Sequence, residues 1–383
     1  MEISRIAAMA SKEWLEITRD RLFFSLAFIV PLMLMLIFRF GFSFDVRNIP
    51  LAVVDYDGTA CSRDYAYRFI SSRYFDFKGY AQGERQLGPL LAGGKVGVAI
   101  IIPANFQRDL AAGLPARVQA LIDGTFPSRA QTIKGFVLAI NGAASLQRMA
   151  ENVSRTRGVS LSMARRQLQP VRLEVRYLFD QSVSDWSLIP RLIMVVLMVS
   201  PPLLTAVGIV REKESGAIYN IYSSTVSRGE FLLGKFSPYI AISFVNAMVL
   251  WAVAVGPFGA PFRGGLFFFI ACSFVFAACT AGIGLVVSLL ASTQVSAIVF
   301  CLILTFVPVS VYSGLLMPVA SLDAAGRIQA HLIPAMYYTD IVIGIFLKGA
   351  GVGVLWGRLA ALLVYASALM AAGYFLFRKR RAA

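Results

Sequence analysis

Charge is scarce in this sequence: only 15% of its 383 residues are Asp, Glu, Lys or Arg. A soluble domain carries roughly 25%, so too little polar surface exists here to cover a water-soluble fold. Histidine occurs once, at His331, which rules out a histidine-based metal cluster and any distinctive Ser–His arrangement. Cysteine is also sparse. Cys61 stands alone in a polar region, while Cys272, Cys279 and Cys301 fall in apolar runs, and no CxxC occurs. Neither a disulfide framework nor a zinc site is supported, and the three apolar cysteines read as small fillers of helix packing.

What is abundant is apolar sequence. Hydrophobic residues reach 57% and mean hydropathy is +0.69. The excess is gathered into runs of bilayer-spanning length instead of being spread at strand or helix period. The fold class expected is a polytopic α-helical membrane protein with six transmembrane helices and an inserted extracytoplasmic α/β domain. The basic residues behind the net charge of +15 are scattered, and many sit at the borders of apolar runs, where Lys and Arg meet anionic headgroups. This points to the lipid bilayer as partner and not to nucleic acid.

Residues 1–20 read as an interfacial amphipathic helix, with Ile3, Ile6, Ala10, Trp14 and Ile17 on one side and Arg5, Lys12, Glu16 and Arg19 on the other. Transmembrane helix 1 occupies 21–42, its apolar run being Leu22–Phe38. No A-x-A cleavage site follows, so it is expected to be a retained anchor. Residues 43–187 turn polar, and strands at Pro50–Val54, Val96–Ile102 and Val118–Ile122 alternate with helical stretches at Cys61–Ser72, Asn105–Ala112 and about Ser128 to Gln167. Residues 188–383 hold spans 2–6: Ile189–Val210, Phe236–Val255, Leu266–Leu290, Ala297–Met317 and Leu359–Phe377. Pro190, Pro201 and Pro202 predict a kink in the first of these. Ser273, Ala277 and Ala281 give the fourth span a small-residue face. The segment 333–349 is apolar but short and is interrupted by Asp340, so it reads as re-entrant or surface-lying.

Three basic groups fix the expected orientation: Arg5, Lys12, Arg19 and Arg21; Arg211, Lys213, Arg228 and Lys235; and the tail Arg378–Arg381. Six crossings place all three on one side, which the positive-inside rule makes cytoplasmic. Both termini are then cytoplasmic and the α/β domain extracytoplasmic. Arg191, Pro334, Tyr337 and Asp340 fall at the outer mouth of a pathway in this topology, because polar groups near a span face protein or water. Headgroup anchoring is an equal reading for Arg191.

Two motifs imitate enzyme chemistry. Gly229–Lys235 satisfies G-x-x-x-x-G-K, but Phe236 stands where a phosphate-binding loop needs a hydroxyl for Mg²⁺, and the segment opens a membrane helix. Val53–Thr59 matches a strand followed by D-x-D-G-T, the start of a haloacid-dehalogenase-type phosphatase. No paired carboxylate for metal appears before Trp186, and Asp123-Gly124-Thr125 ends another strand in the same way, so both read as strand-to-turn caps.

The loop 211–235 is the most informative stretch. Arg211, Glu212, Lys213, Glu214 and Gly216 precede an apolar patch of Ile218, Ile221 and Tyr222. Ser227, Arg228 and Glu230 then form a capping box that opens the next span, with Lys235 one turn on. A plain positive-inside loop explains the charges equally well.

Taken in order, Arg211-Glu212-Lys213-Glu214-x-Gly216 and Ser227-Arg228-x-Glu230-x-x-x-Gly234-Lys235 resemble the cytoplasmic signature of type-2 ATP-binding-cassette exporter permeases. Val53-Val54-Asp55, Ile102-Pro103-x-x-Phe106-x-x-x-Leu110 and Val118–Gly124 are similar to the bacterial multidrug-type branch that carries a large periplasmic domain. Ile333–Asp340 with Gly344–Gly349 resembles its re-entrant region. Tyr219-Asn220-Ile221-Tyr222 departs from the more leucine-rich helix expected there. The resemblance implies an inner-membrane permease for drug-like, lipidic or other amphipathic substrates. It implies no ATPase site or cofactor on this chain, with ATP and Mg held by partner cytoplasmic ABC ATPase subunits that dock on the 211–222 region. It further implies a second permease as homodimer or paralogous heterodimer, and an ectodomain that gates the exit or meets a periplasmic adaptor. The alternative is a membrane-anchored envelope receptor or scaffold whose α/β domain binds a ligand.

Overall fold

A computed structural model describes residues 2–41, 48–169, 185–217, 227–315 and 319–376. The chain divides into two compact units, residues 45–176 and the remainder.

The smaller unit is built on a four-stranded sheet of order β2-β1-β3-β4, comprising β1 (Ile49–Asp55), β2 (Phe75–Tyr80), β3 (Val98–Ile102) and β4 (Gln119–Ile122). β1 pairs in parallel with β2 and β3, and β4 closes the edge antiparallel to β3. Alternation along the strands sorts their side chains onto two covered faces. Ile49, Leu51 and Val53 of β1 with Val98, Ile100 and Ile102 of β3 pack under Tyr65, Phe69, Ile133 and Val137. Ala52 and Val54 with Ala99 and Ile101 pack on the opposite side against Leu87.

The helices of this unit begin with α3 (Ala60–Ile70), α4 (Glu84–Ala92) and α5 (Phe106–Ala111). β2 and α4 were not expected from the sequence. The single long helix expected from Ser128 towards Gln167 is two, α6 (Pro127–Arg157) and α7 (Leu161–Leu168). Gly158 takes a left-handed conformation (φ 65°), and the Ser160 hydroxyl caps α7 by accepting from Met163 N.

Asp55 and Asp57 act as caps. Asp55 Oδ1 accepts from the Asp57 and Gly58 amides at 3.0 Å each, and Oδ2 accepts from Ser62 Oγ at 2.7 Å. Asp57 Oδ2 accepts from Thr59 Oγ1 and from Gln107 N. Asp123 repeats the device with Thr125 N and Oγ1. These carboxylates fasten strand ends to helix starts, which is what the repeated pattern predicts.

Among the described residues of the other unit, six helices are long and apolar enough to cross a membrane. They are α2 (Arg21–Gly41), α8 (Asp185–Glu214, its apolar span Leu188–Glu214), α9 (Arg228–Val255), α10 (Leu266–Leu290), α11 (Gln294–Tyr312) and α14 (Val352–Leu376). α1 (Ile3–Arg19) precedes them. Between α11 and α14, α12 (Ala324–His331) meets the helix α13 (Pro334–Ile343, continued as a π-turn through Lys348) at an 86° bend. Segment 333–349 is not surface-lying: Ala335, Tyr338, Ile341, Val342, Ile345 and Phe346 are buried within the bundle. Ser273 on the small-residue face of α10 hydrogen-bonds Tyr338 at 2.8 Å, and Phe276 stacks on the same ring.

α8 is the hub. Buried positions make up 89% of its apolar window, against 22% for α11 and 11% for α14. α11 buries only Ala297, Cys301, Thr305 and Val309, one small residue per turn, and this narrow stripe lies along α8. α10 approaches α8 so closely that a Cβ on Gly284 would strike the carbonyl of Pro202 and the side chain of Thr205. Pro190, Pro201 and Pro202 all fall inside a continuous helix.

Candidate functional site

Four consecutive charged residues end α8, and successive helical side chains point about 100° apart. Arg211–Glu214 therefore cannot share one face, and in the structure each reaches a different neighbour. Arg211 Nη1 lies 2.6 Å from Asp20 Oδ2 at the start of α2, with its guanidinium 5.0 Å from the Phe23 ring centroid. Glu212 is buried against Lys12 of α1 and Lys235 of α9. Lys213 Nζ donates to the Ser288 carbonyl near the end of α10. Glu214 Oε2 accepts from the side chain and backbone amide of Gln294, the first residue of α11, at 2.8 and 3.3 Å. One turn of α8 is thus tied to α1, α2, α9, α10 and α11. Gly216, in positive φ (76°), ends the helix just beyond.

The centre of this cluster is a buried ionic network. Lys235 is 2% exposed, Glu13 3% and Glu212 6%, so three formal charges have left water. Lys235 Nζ lies 2.7 Å from Glu13 Oε1 and 2.5 Å from Glu212 Oε2. The second approach is an ion pair whose angles make no hydrogen bond. Tyr239 Oη donates to Glu13 Oε2 at 2.9 Å, and half-exposed Lys12 donates to Glu212 Oε1 at 2.8 Å. Glu13 and Glu212 against Lys12 and Lys235 balance in charge, the condition for holding ions in a poorly solvated place, and exposed Glu16 lies 3.4 Å from Lys12 at the solvent edge. Burial pushes the Glu13 carboxyl above its ordinary range, opposed by Lys235 and reinforced by Glu212. Burial works to lower the Lys12 ammonium, but Glu212 beside it outweighs that and holds it above its usual value. The hydrogen bond from Arg211 holds Asp20 below its usual range. Glu13, Glu16 and Glu212 bring three carboxylates together, but ammonium groups already occupy the space a cation would take.

The start of α9 belongs to the same assembly. Ser227 and Glu230 form the expected reciprocal capping box, and Glu230 Oε1 also accepts from the Glu2 backbone N–H at 2.7 Å. Gly234 lets α1 lie close, since a Cβ there would meet Met9 and the Ile6 carbonyl. Lys235, the lysine of the phosphate-loop look-alike, lies within α9 and is engaged by Glu13 of α1 and Glu212 of α8. Ile218, Ile221 and Tyr222 lie outside the described residues, and Arg228 lies in the first turn of α9. A cavity of about 760 Å³ opens beside this network, lined by Lys12, Glu16 and Arg19 of α1, by Phe23, and by Gly208, Arg211 and Ser215.

Within the bundle, α1 buries Glu13 and Ile17, while Ile3 and Trp14 are exposed, at 82% and 42%. Glu13 sits four residues from both Met9 and Ile17, so a carboxylate interrupting an apolar face was the available signal. Asp20 and Tyr239 offered none, because their partners are distant in sequence.

The residues expected at the other end of the bundle are less gathered. Arg191 is half-buried in α8, twenty residues before Arg211, a separation of about 30 Å that matches the roughly 30 Å hydrocarbon core. Asp340 pairs with Arg358 of α14 at 3.1 Å. Tyr337 Oη donates to the His331 carbonyl at 3.2 Å, as does Tyr365 at 3.3 Å. Pro334 is buried at the first position of α13.

Comparison with known proteins supplies the affiliation. The chain is 26% identical to the probable multidrug ABC transporter permease YbhS of Escherichia coli over 90% of its own length and 89% of that protein. It is 23% identical to the probable multidrug ABC transporter permease YbhR of the same organism over 98% and 99%. It is 24% identical to the inner membrane transport permease YhhJ over 86% and 85%. A sequence model of the family described as ABC-2 family transporter protein matches residues 21–375, and the chain therefore belongs to the ABC-2 transporter family.

Proposed function

We propose that this chain is the permease subunit of an ABC exporter that moves a drug-like, lipidic or otherwise amphipathic substrate out of the cytoplasm or the inner leaflet. A separate cytoplasmic ATPase drives it, and a second permease, a copy or a paralogue, completes the path. Both termini and the Arg211 end of α8 face the cytoplasm, and the α/β unit lies outside. The basic residues around α1, α8 and α9 support that orientation, and the names of the relatives support the substrate class.

One observation carries the reading: Arg211–Glu214 tie the end of the most buried helix to its neighbours. An ATPase pressing on the segment after Gly216, or into the cavity beside α1, acts on all of these helices together. ATP states then bias the bundle by binding one arrangement better than the other. The test uses the permease reconstituted with its ATPase and the variant Glu214→Lys, whose side chain is exposed in the parent. Substrate-stimulated ATP hydrolysis is expected to fall about fivefold or more, the lower end of ordinary allosteric coupling, with the two subunits still copurifying. Unchanged stimulation removes this tether from the mechanism.

A further inference from the structure

A second cavity, of about 400 Å³, lies wholly within the α/β unit, between α3, α5, α6 and the chain leading into β4. Its lining is mixed in character. Phe106, Leu110, Leu114, Pro115 and Val118 supply apolar surface. Leu114 is 57% exposed there, so apolar surface is open to a ligand. Arg68 and Arg148 belong to the same lining, and their side chains are 25% and 39% exposed.

The two guanidiniums are held loosely. Arg68 reaches Gln147 at 3.1 Å and Asp64 at 3.3 Å. Arg148 reaches the Cys61 thiol at 3.3 Å, Glu151 at 3.4 Å and Asp64 at 3.6 Å. Charge-assisted bonds from arginine to carboxylate normally close to about 2.7–2.9 Å, and each guanidinium carries five donors. Both arginines therefore keep capacity for a better acceptor. Of the charged side chains that line the cavity, two are arginines and one is Asp64, and Glu151 reaches Arg148 from outside the lining, so the cavity itself presents more guanidinium than carboxylate.

We propose that this cavity binds a small amphipathic anion, its carboxylate or sulfonate on Arg68 and Arg148 and its apolar body against Leu110, Leu114 and Phe106. An apolar lining with a few convergent polar groups is the usual form of a small-molecule site, and the volume sits near the lower end of the roughly 300–1,000 Å³ such sites occupy. A compact solute suits that volume, and a two-chain lipid does not. The site stands apart from the permease reading: it concerns the α/β unit alone and survives whether or not the chain exports anything.

Cys61 in the cavity wall provides the readout. The full chain is placed in zwitterionic nanodiscs, and alkylation of Cys61 by N-ethylmaleimide is timed by peptide mass spectrometry while octanoate is added. Octyltrimethylammonium and octanol, of equal chain length, are run beside it. Octanoate is expected to slow alkylation by the factor 1 + [L]/Kd, about elevenfold at ten times Kd, with the cation and the alcohol giving little protection. Arg68→Gln should abolish protection without touching the thiol's own neighbour Arg148, and Leu110→Asn should weaken it. Each variant's ratio is taken against its own rate without ligand, and unchanged thermal unfolding of the variant confirms that it is folded. Equal protection by all three probes, protection that persists in Arg68→Gln, or none at millimolar octanoate overturns the assignment.

Discussion

Replacing Lys235 by Met tests whether the buried network holds α1 onto the bundle. The substitution shortens the side chain by one atom and removes its charge, leaving Glu13 and Glu212 buried with Lys12 as the remaining ammonium of the set. Their nearest oxygens lie within 4.8 Å of one another, so like charges face each other in a poorly solvated place. Removing one partner of a buried pair costs about 3–5 kcal/mol. Half-exposed Lys12 admits solvent to one side of the cluster, which places the expectation at the lower end of that range. At about 1.4 kcal/mol per decade, 3 kcal/mol raises the population of undocked α1 roughly a hundredfold. Hydrogen exchange of residues 3–19, followed by mass spectrometry in detergent, reads that local opening directly. The double variant Glu13→Gln with Lys235→Met restores neutrality and should recover at least half of the lost protection, a coupling that a double-mutant cycle measures. Exchange in the single variant within threefold of wild type would refute the reasoning, as would a double variant no better protected than the single.

Two other outcomes follow from the geometry. Gly284→Ala should lower the thermal unfolding temperature in detergent, because its methyl must displace Pro202 and Thr205 of α8 at an overpacking cost of about 1–3 kcal/mol, whereas Gly357→Ala, whose added methyl meets nothing within 4 Å, should be neutral; equal behaviour of the two would contradict the close α8–α10 contact. Burial pushes the Cys61 thiol above its ordinary range, partly opposed by Arg148, so less thiolate is present near neutrality than in a free cysteine and its alkylation should keep climbing about tenfold per pH unit past the point where a free thiol levels off; in spheroplasts a membrane-impermeant maleimide should still reach it, and failure at every pH would place the α/β unit on the wrong side.

The spans were legible because a bilayer imposes a run length that composition reveals directly. The capping box at Ser227 and Glu230 and the strand-end caps at Asp55 and Asp123 were legible because their partners lie within a few residues. β2 was not: the alternation Phe75-Asp76-Phe77-Lys78 lasts only four residues before Gly79 breaks it. α4 holds Gly88 and Pro89, poor helix formers that tertiary packing of Leu87 overrides. The break at Gly158 was hidden by helical periodicity continuing on both sides of it. The network was hidden for a different reason. Lys12 and Glu212 are 200 positions apart and Glu13 and Lys235 are 222 apart, and a run of alternating charges looks the same whether it faces water or five other helices.

α11 turns one side chain per turn towards the rest of the chain and leaves Val299, Phe300, Ile303, Phe306 and Val307 turned outward. Swapping those five among apolar residues leaves the interior of the chain untouched. The outer flank of this helix can therefore be scanned as a separate instrument, in which any phenotype reports what surrounds the protein, whether acyl chains or a sister subunit, and not how the protein folds.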